Sequence, residues 1–170
     1  MSRKVAIIIM GSKSDYPHAE RIIEWLDRFG IEHETRIASA HKTPEKLLGI
    51  LAEQEQKDES VVYITIAGLS NALSGMVEFS TIFPVIACPP PCDVLGGADL
   101  FSSLRMPPGV AAATILDPRN AALFVVKLFA TDDEALRDRI RAYHAEQRAK
   151  IDDDERSLSD DGQGLGGAVR

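Results

Sequence analysis

The chain has 170 residues, 45% of them hydrophobic and 26% charged, which is a composition typical of a single globular domain with a substantial core. Its formal net charge of -7 argues against a nucleic-acid partner, because surfaces that bind phosphate backbones carry clustered Lys and Arg. No apolar run approaches the roughly 20 residues of a membrane span, so no membrane partner is expected either. We expect a cytoplasmic protein.

The first half of the chain alternates apolar, β-branched runs with segments of helical periodicity. Residues 4–10, KVAIIIM, form a continuous apolar run, as expected for a strand that is covered on both faces. A helix is predicted over residues 16–29, with Gly30 as its C-terminal stop. The alternation then predicts a strand, a helix and a further strand over residues 31–38, 43–56 and 61–67.

The second half repeats this pattern more loosely. It predicts helices over residues 71–79, 98–105 and 118–130, strands over residues 83–88 and 110–114, and a charged helix from about residue 131 to 150. Residues 152–170 are acidic and Gly-rich, and we expect this tail to be disordered, which leaves one domain over residues 1–151. Five buried strands alternating with helices predict a doubly wound parallel sheet.

Ligands of such a sheet bind beyond the carboxyl ends of its strands, so the loops at those ends are the candidate site. The first loop reads GSKSD: Gly11 lets the backbone approach a ligand, and Ser12 and Ser14 can hold an anion at a helix N-terminus. Asp15 can accept hydrogen bonds from sugar hydroxyls. Alternatively, Ser14 and Asp15 serve only to cap the helix.

The second loop, SAHKTP, follows the second predicted strand. Lys42 is suited to a phosphate group, and Ser39 is a neutral hydrogen-bond donor. His41 can exchange a proton near neutral pH, and its place at a strand end favours a role in the site. The other histidines lie among charged neighbours in predicted helices or a strand, and we interpret them as solvated: His18, His33 and His144.

The third loop, GLSNALSGM over residues 68–76, consists of small and hydroxyl residues that allow close approach of the backbone to a ligand. The fourth, ACPPP over residues 87–91, predicts a stiff wall suited to a small uncharged molecule, or simply a rigid connection. Cys88 and Cys92 fit neither a redox nor a zinc spacing and are expected to be free thiols. Together the loops favour a small phosphorylated ligand beside one titratable group.

Four motifs resemble those of the enzymes that make carboxyaminoimidazole ribonucleotide in purine biosynthesis: IIIMGSKSD, SAHKTP, GLSNALSGM and SSLRMPPGV. The resemblance covers about residues 4–150. It implies a flavodoxin-like three-layer α/β/α sandwich with a five-stranded parallel sheet and an additional C-terminal helix. It also implies a homo-octamer in which the last helix packs on neighbouring subunits.

The family has two branches, which differ in these motifs. The mutase branch moves a carboxyl group from N5 to C4 of the ribonucleotide and typically reads SAHRTP and GGAAHLPGM; this chain has Lys42 and Ala72 at the two diagnostic positions. The carboxylase branch uses CO2 directly and typically reads SAHK, AGxSN and CPP, all of which occur here. Leu69 departs from that branch, which usually has arginine after the glycine. The resemblance therefore implies a carboxylase, with the mutase as the alternative.

In the implied reaction, aminoimidazole ribonucleotide reacts with CO2 without ATP, biotin, metal or any other cofactor, and His41 is the catalytic base. The resemblance implies that the substrate is bound by Ser12, Ser14, Asp15, Ser39, Lys42, Gly68 and Ser70. It further implies a CO2 pocket formed by Ala67, Cys88, Pro89 and Pro90. A non-catalytic flavodoxin-like binding module is the remote alternative. It is disfavoured because the strand ends carry hydroxyls, His41 and Lys42 in place of an acidic cluster, and no aromatic residue that could stack on a flavin.

Overall fold

The structure is a computed structural model that describes residues 2–160. Its strands are β1 (Arg3–Met10), β2 (Glu32–Ile37), β3 (Glu59–Ile66), β4 (Val85–Ala87) and β5 (Ala113–Thr114). Its helices are α1 (Tyr16–Arg28), α2 (Pro44–Glu55), α3 (Leu73–Phe79), α4 (Phe101–Leu104), α5 (Pro118–Phe129) and α6 (Glu134–Asp160). The strands form one parallel sheet in the order β2-β1-β3-β4-β5, with helices on both sides. This arrangement confirms the predicted flavodoxin-like α/β fold.

The chain divides into two compact units, Met1–Phe129 and Ala130–Arg170. The first contains the whole sheet and helices α1 to α5. The second contains a short 3-10 turn, Ala130–Asp132, and helix α6. The division falls before α6, and the single domain over residues 1–151 stays a prediction. Within residues 2–160, no helix combines the length and the apolar composition that a membrane span requires.

The central strands form the core because they are covered on both faces. In β1 the six residues from Val5 to Met10 are all buried, as expected for a continuous apolar run in a parallel sheet. Alternate β1 residues, such as Ile7, contribute to a cluster with Leu47 and Leu51 of α2 and with Tyr63 of β3. The edge strand β2 has no fully buried residue, in keeping with its mixed EHETRI sequence.

Helix α1 ends where the sequence predicted. Gly30 has a φ of 65°, a left-handed conformation that glycine adopts without a steric penalty. Its N–H donates to the Asp27 carbonyl at 2.9 Å, and the Ile31 N–H donates to the Leu26 carbonyl at 2.9 Å. This pair of bonds is the Schellman motif, which satisfies carbonyls at the helix end and turns the chain toward β2.

Several predicted boundaries differ from the structure; β5, for example, begins at Ala113 and not at residue 110. The helix predicted over residues 98–105 is α-helical only over Phe101–Leu104, because residues 98–100 belong to a 3-10 segment that also contains the left-handed residues Leu95, Gly96 and Gly97. The final helix extends to Asp160, so the disorder predicted from residue 152 fails over residues 152–160. The acidic composition of this segment had predicted disorder. Ion pairs one turn apart, such as Arg156 with Asp153, stabilise the helix. The rest of the predicted tail, residues 161–170, lies outside the described residues.

Candidate active site

The candidate site lies where the strand order reverses around β1, the usual ligand position in a doubly wound sheet. Three loops converge there, following β1, β2 and β3 in turn. Backbone bonds hold them at the sheet edge: the Gly11 N–H donates to the Ile66 carbonyl at 2.9 Å, and the Ala38 N–H donates to the Met10 carbonyl at 3.0 Å. The loops enclose a cavity of about 360 Å³ lined by Gly11, Ser12, Asp15, Ser39, Ala40, His41, Lys42, Ala67, Gly68, Leu69, Ser70 and Leu73.

In the first loop, the Asp15 carboxylate accepts a hydrogen bond from a backbone N–H and also faces the cavity. Its Oδ2 accepts a hydrogen bond from the Ser12 N–H at 3.0 Å, which fixes the short 3-10 turn that precedes α1. Asp15 occupies the N-cap position of α1, but its side chain makes no capping bond to that helix, and the carboxylate lines the cavity. Ser14 does not belong to the lining; its hydroxyl is hydrogen-bonded to the Ser12 hydroxyl. Of the two hydroxyls predicted to hold an anion, Ser12 alone faces the cavity.

The second loop is a tight turn closed by reciprocal bonds between Ser39 and Thr43. The Thr43 N–H donates to the Ser39 carbonyl at 2.8 Å, and the Ser39 N–H donates to Thr43 Oγ1 at 2.9 Å. The Lys42 N–H donates to Ser39 Oγ at 3.3 Å. Thr43 thus occupies the N-cap position of α2, but its side chain closes the turn and does not cap the helix. The turn presents His41 and Lys42 to the cavity with both side chains exposed.

The third loop contributes Ala67, Gly68, Leu69 and Ser70 to the cavity wall. Leu69 has a φ of 59°, in the left-handed region that disfavours residues with a Cβ. Its side chain is 62% exposed, so no packing of the side chain accounts for the conformation. The chain therefore holds a leucine in a strained backbone conformation at the rim of the candidate site.

The residues predicted to form a CO2 pocket do not share one cavity. Ala67 lines the main cavity, whereas Pro89 and Pro90 line a neighbouring cavity of about 270 Å³. Pro90 lies directly behind Gly68, a residue of the main cavity wall. A Cβ added to Gly68 would lie 3.5 Å from Pro90 Cγ. Cys88 lines neither of these cavities and is fully buried. The residue lies directly after β4, and its place in a CO2 pocket stays a prediction.

Cys88 contacts the side chain of His18 in the interior of the protein. His18 was interpreted as solvated, but it is only 8% exposed and its Nε2 lies 3.4 Å from Cys88 Sγ. Burial lowers the pKa of His18 below its ordinary value of 6.5, and the charge of Arg21 lowers it further. Burial also raises the pKa of the Cys88 thiol to about 12. Both groups are thus neutral at neutral pH, and the contact ties the start of α1 to the end of β4.

This burial predicts an acid-sensitive fold. Because the pKa of His18 is depressed on folding, the unfolded chain binds the proton more readily. The stabilisation is complete above pH 6.5, the unfolded value, and is lost as the pH falls toward the folded value. We expect the free energy of unfolding, measured by urea denaturation, to fall less between pH 7.5 and pH 5.5 in His18→Gln than in the wild type. An equal fall in both proteins would exclude His18 as the titrating group.

The chain matches the protein-family model described as AIR carboxylase over residues 4–150. The chain belongs to this AIR carboxylase family. The matched residues include every loop of the candidate site described above. This family member is also similar to two enzymes named phosphoribosylaminoimidazole carboxylase. The Archaeoglobus fulgidus enzyme is 53% identical over 146 residues, which is 86% of this chain and 80% of the relative.

The other such enzyme, from Treponema denticola, is 47% identical over 92% of this chain, and a crystal structure of Treponema denticola PurE is also similar to this chain. That structure superposes with a TM-score of 0.90 at 47% identity, covering 92% of this AIR carboxylase family member and 99% of the T. denticola chain. The Methanocaldococcus jannaschii protein named N5-carboxyaminoimidazole ribonucleotide mutase is 39% identical over 85% of this chain and 90% of its own length. Both named activities therefore occur among its relatives.

Proposed function

We propose that this chain catalyses the reversible carboxylation of 5-aminoimidazole ribonucleotide at C4 by CO2, a step of purine biosynthesis. The observation that carries the proposal is the shared cavity, in which one turn presents a histidine and a lysine opposite the Ser12–Asp15 loop. A proton-transfer group and a fixed cation beside hydroxyls suit a phosphorylated substrate whose ring must lose a proton. Membership of the AIR carboxylase family supports the same substrate.

The proposed chemistry needs one base. The electron-rich imidazole ring supplies the electron pair that forms the new bond from C4 to the carbon of CO2, and one C–O π bond becomes the carboxylate lone pair. C4 then carries both its hydrogen and the carboxylate. His41 removes that proton, and the C–H electron pair restores the aromatic substrate ring. The protonated His41 side chain then passes the proton to solvent. In the reverse direction His41 protonates C4 and CO2 departs.

The remaining cavity residues are assigned to substrate binding. Lys42, Ser39 and Ser12 would hold the phosphate, and the free oxygen of the Asp15 carboxylate would accept hydrogen bonds from the ribose hydroxyls. Gly68 and Ser70 would lie along the ring and its carboxylate. Ala67 would face the incoming CO2, with Pro89 and Pro90 behind this wall. Ser14 would act only through Ser12, since its hydroxyl bonds to Ser12.

The mutase is the second candidate, because a relative that bears that name is 39% identical. Higher identity to the relatives named carboxylase, 53% and 47%, favours direct use of CO2, as do Lys42 and Ala72. The test is to incubate the purified protein with aminoimidazole ribonucleotide and bicarbonate, and separately with N5-carboxyaminoimidazole ribonucleotide alone. We expect product in the first reaction only. Rapid conversion in the second would establish the mutase, and no product in either would overturn the proposal.

We also propose that the enzyme acts in the cytoplasm as a homo-octamer, as the family resemblance implies. Large apolar side chains that are more than 50% exposed in the isolated chain support association, among them Phe79, Ile82 and Phe101. Light scattering coupled to size-exclusion chromatography tests the assembly: the 18.5 kDa chain should elute with eight times that mass. A monomeric mass would contradict it.

A further inference from the structure

The loop after β3 is held by a segment for which the proposed chemistry has no role. Ser102 and Ser103 belong to the short helix α4, and both bond to the loop. Ser102 Oγ accepts a hydrogen bond from the Asn71 N–H at 2.9 Å and lies 3.1 Å from the Leu69 carbonyl oxygen. The same hydroxyl lies 2.7 Å from the Asp99 carbonyl oxygen, so its single proton is shared between two acceptors. Ser102 therefore bridges the residues on either side of Ser70.

Asn71 completes this network from inside the protein. Its side-chain Nδ2 donates to Ser103 Oγ at 2.9 Å, and its Oδ1 accepts from the Ser74 N–H at 3.2 Å. Asn71 is 5% exposed and Ser103 is 2% exposed. A buried amide with both ends bonded has few alternative positions, because leaving either end unpaired costs its desolvation energy. The network thus fixes the backbone at Asn71, directly after the cavity wall.

The strained residue lies between these fixed points. Leu69 has a φ of 59°, a left-handed conformation that is unfavourable for a residue with a Cβ. Its side chain is exposed, so packing of the side chain does not offset this cost. Ser102 Oγ bonds to the Leu69 carbonyl and to the Asn71 N–H. These two bonds hold the backbone on either side of Ser70, next to the left-handed residue. Gly68 and Ser70, on either side of Leu69, line the cavity. Relaxation of Leu69 would turn both of them away from their present directions.

We propose that Ser102 and Asn71 are positioning residues: they hold Leu69 in the left-handed conformation and so aim Gly68 and Ser70 at the reacting ring. The identity of that ring rests on the proposed function, whereas the network does not. Because the phosphate end of the cavity is built by other loops, loss of the network affects the reacting end selectively. Its effect falls on the chemical step more than on binding of the ribonucleotide.

The first test compares Ser102→Ala with Ser102→Thr, which keeps the hydroxyl. We expect Ser102→Ala to lower kcat about tenfold, since a left-handed L residue is disfavoured by roughly that factor, while KM for aminoimidazole ribonucleotide changes little. Ser102→Thr should restore most of the turnover. Ser60→Ala, which removes a serine hydroxyl at the opposite end of β3, is the control and should have wild-type kcat.

The second test separates positioning from general damage by repeating Ser102→Ala in a Leu69→Gly background. Glycine adopts positive φ without strain, so in the Leu69→Gly background the Ser102 hydroxyl is less needed to keep residue 69 in the left-handed conformation. We expect the loss of kcat caused by Ser102→Ala to shrink to about twofold relative to the Leu69→Gly single variant. A merely structural role for Ser102 would give the same loss in both backgrounds. Asn71→Asp, which keeps the acceptor and loses the donor, serves as a second variant of the network.

Two results would overturn the inference: unchanged kcat in Ser102→Ala, or an equal loss in the wild-type and Leu69→Gly backgrounds. Hydrogen exchange of a peptide covering residues 68–73 gives a readout that does not depend on substrate. Exchange should accelerate in Ser102→Ala and remain at the wild-type rate in Ser60→Ala. If the wild-type protein lacks carboxylase activity but this acceleration occurs, the proposed function fails and the network stands. If the wild type is active and exchange is unchanged, the network fails alone.

Discussion

Replacement of His41 by asparagine should lower kcat for carboxylation by a factor of about 10² or more, with little change in KM for aminoimidazole ribonucleotide. Asparagine retains a hydrogen-bonding side chain at the turn but cannot take up the C4 proton. The turn itself should persist, because it is closed by Ser39 and Thr43 without the imidazole. Steady-state assays in both directions measure the effect. Forward carboxylation and reverse decarboxylation pass through the same proton-transfer transition state, so both should fall by the same factor.

His33→Asn is the matched control, because it makes the same chemical change near the amino end of β2, away from the cavity. Its turnover should equal that of the wild type. If His41→Asn retained near-wild-type turnover, another group would have to remove the proton. A large rise in KM with unchanged kcat would instead assign His41 to binding.

The fold followed from the sequence because its signals are local. Buried parallel strands appear as continuous apolar runs, and Gly30 marks the end of α1 through a single backbone conformation. The predictions were least accurate where a local pattern was ambiguous. The stretch VLGGADL has no periodicity that reveals three successive left-handed residues, and the acidic composition after residue 150 concealed ion pairs that support a helix. Both errors concern features that depend on backbone geometry or on side-chain pairing.

The site was predictable to the extent that strand ends are predictable. Three loops identified from their chemistry do line one cavity, because the carboxyl ends of neighbouring parallel strands meet at one sheet edge. The contacts that cross the fold could not be read in the same way. Nothing in the sequence places His18 against Cys88, or Ser102 against Asn71, since each pair is far apart in the chain.

Lys42 provides the second large expected effect. Its ammonium group is the cation that the SAHK turn presents to the cavity, and the turn is fixed by the Lys42 N–H bond to Ser39 Oγ. In Lys42→Met the phosphate would lose a charge-assisted hydrogen bond, so KM for aminoimidazole ribonucleotide should rise by about tenfold to a hundredfold. Turnover at saturation should change less, because the phosphate takes no part in the chemistry. Lys46→Met, one turn into α2 and outside the cavity lining, is the control.

The assignment of Lys42 to the phosphate can be isolated with a substrate that lacks the phosphate. Binding of the aminoimidazole riboside should be weak in the wild type and equally weak in Lys42→Met, because neither can form the ion pair. Lys42→Arg retains the charge but replaces a compact ammonium group by a planar fork, so it should recover part of the affinity for the ribonucleotide. If Lys42→Met weakened binding of the riboside and the ribonucleotide by the same factor, Lys42 would act on the ring or the ribose. The phosphate would then have to be held by the Ser12 loop and the N-terminal amides of α1 alone.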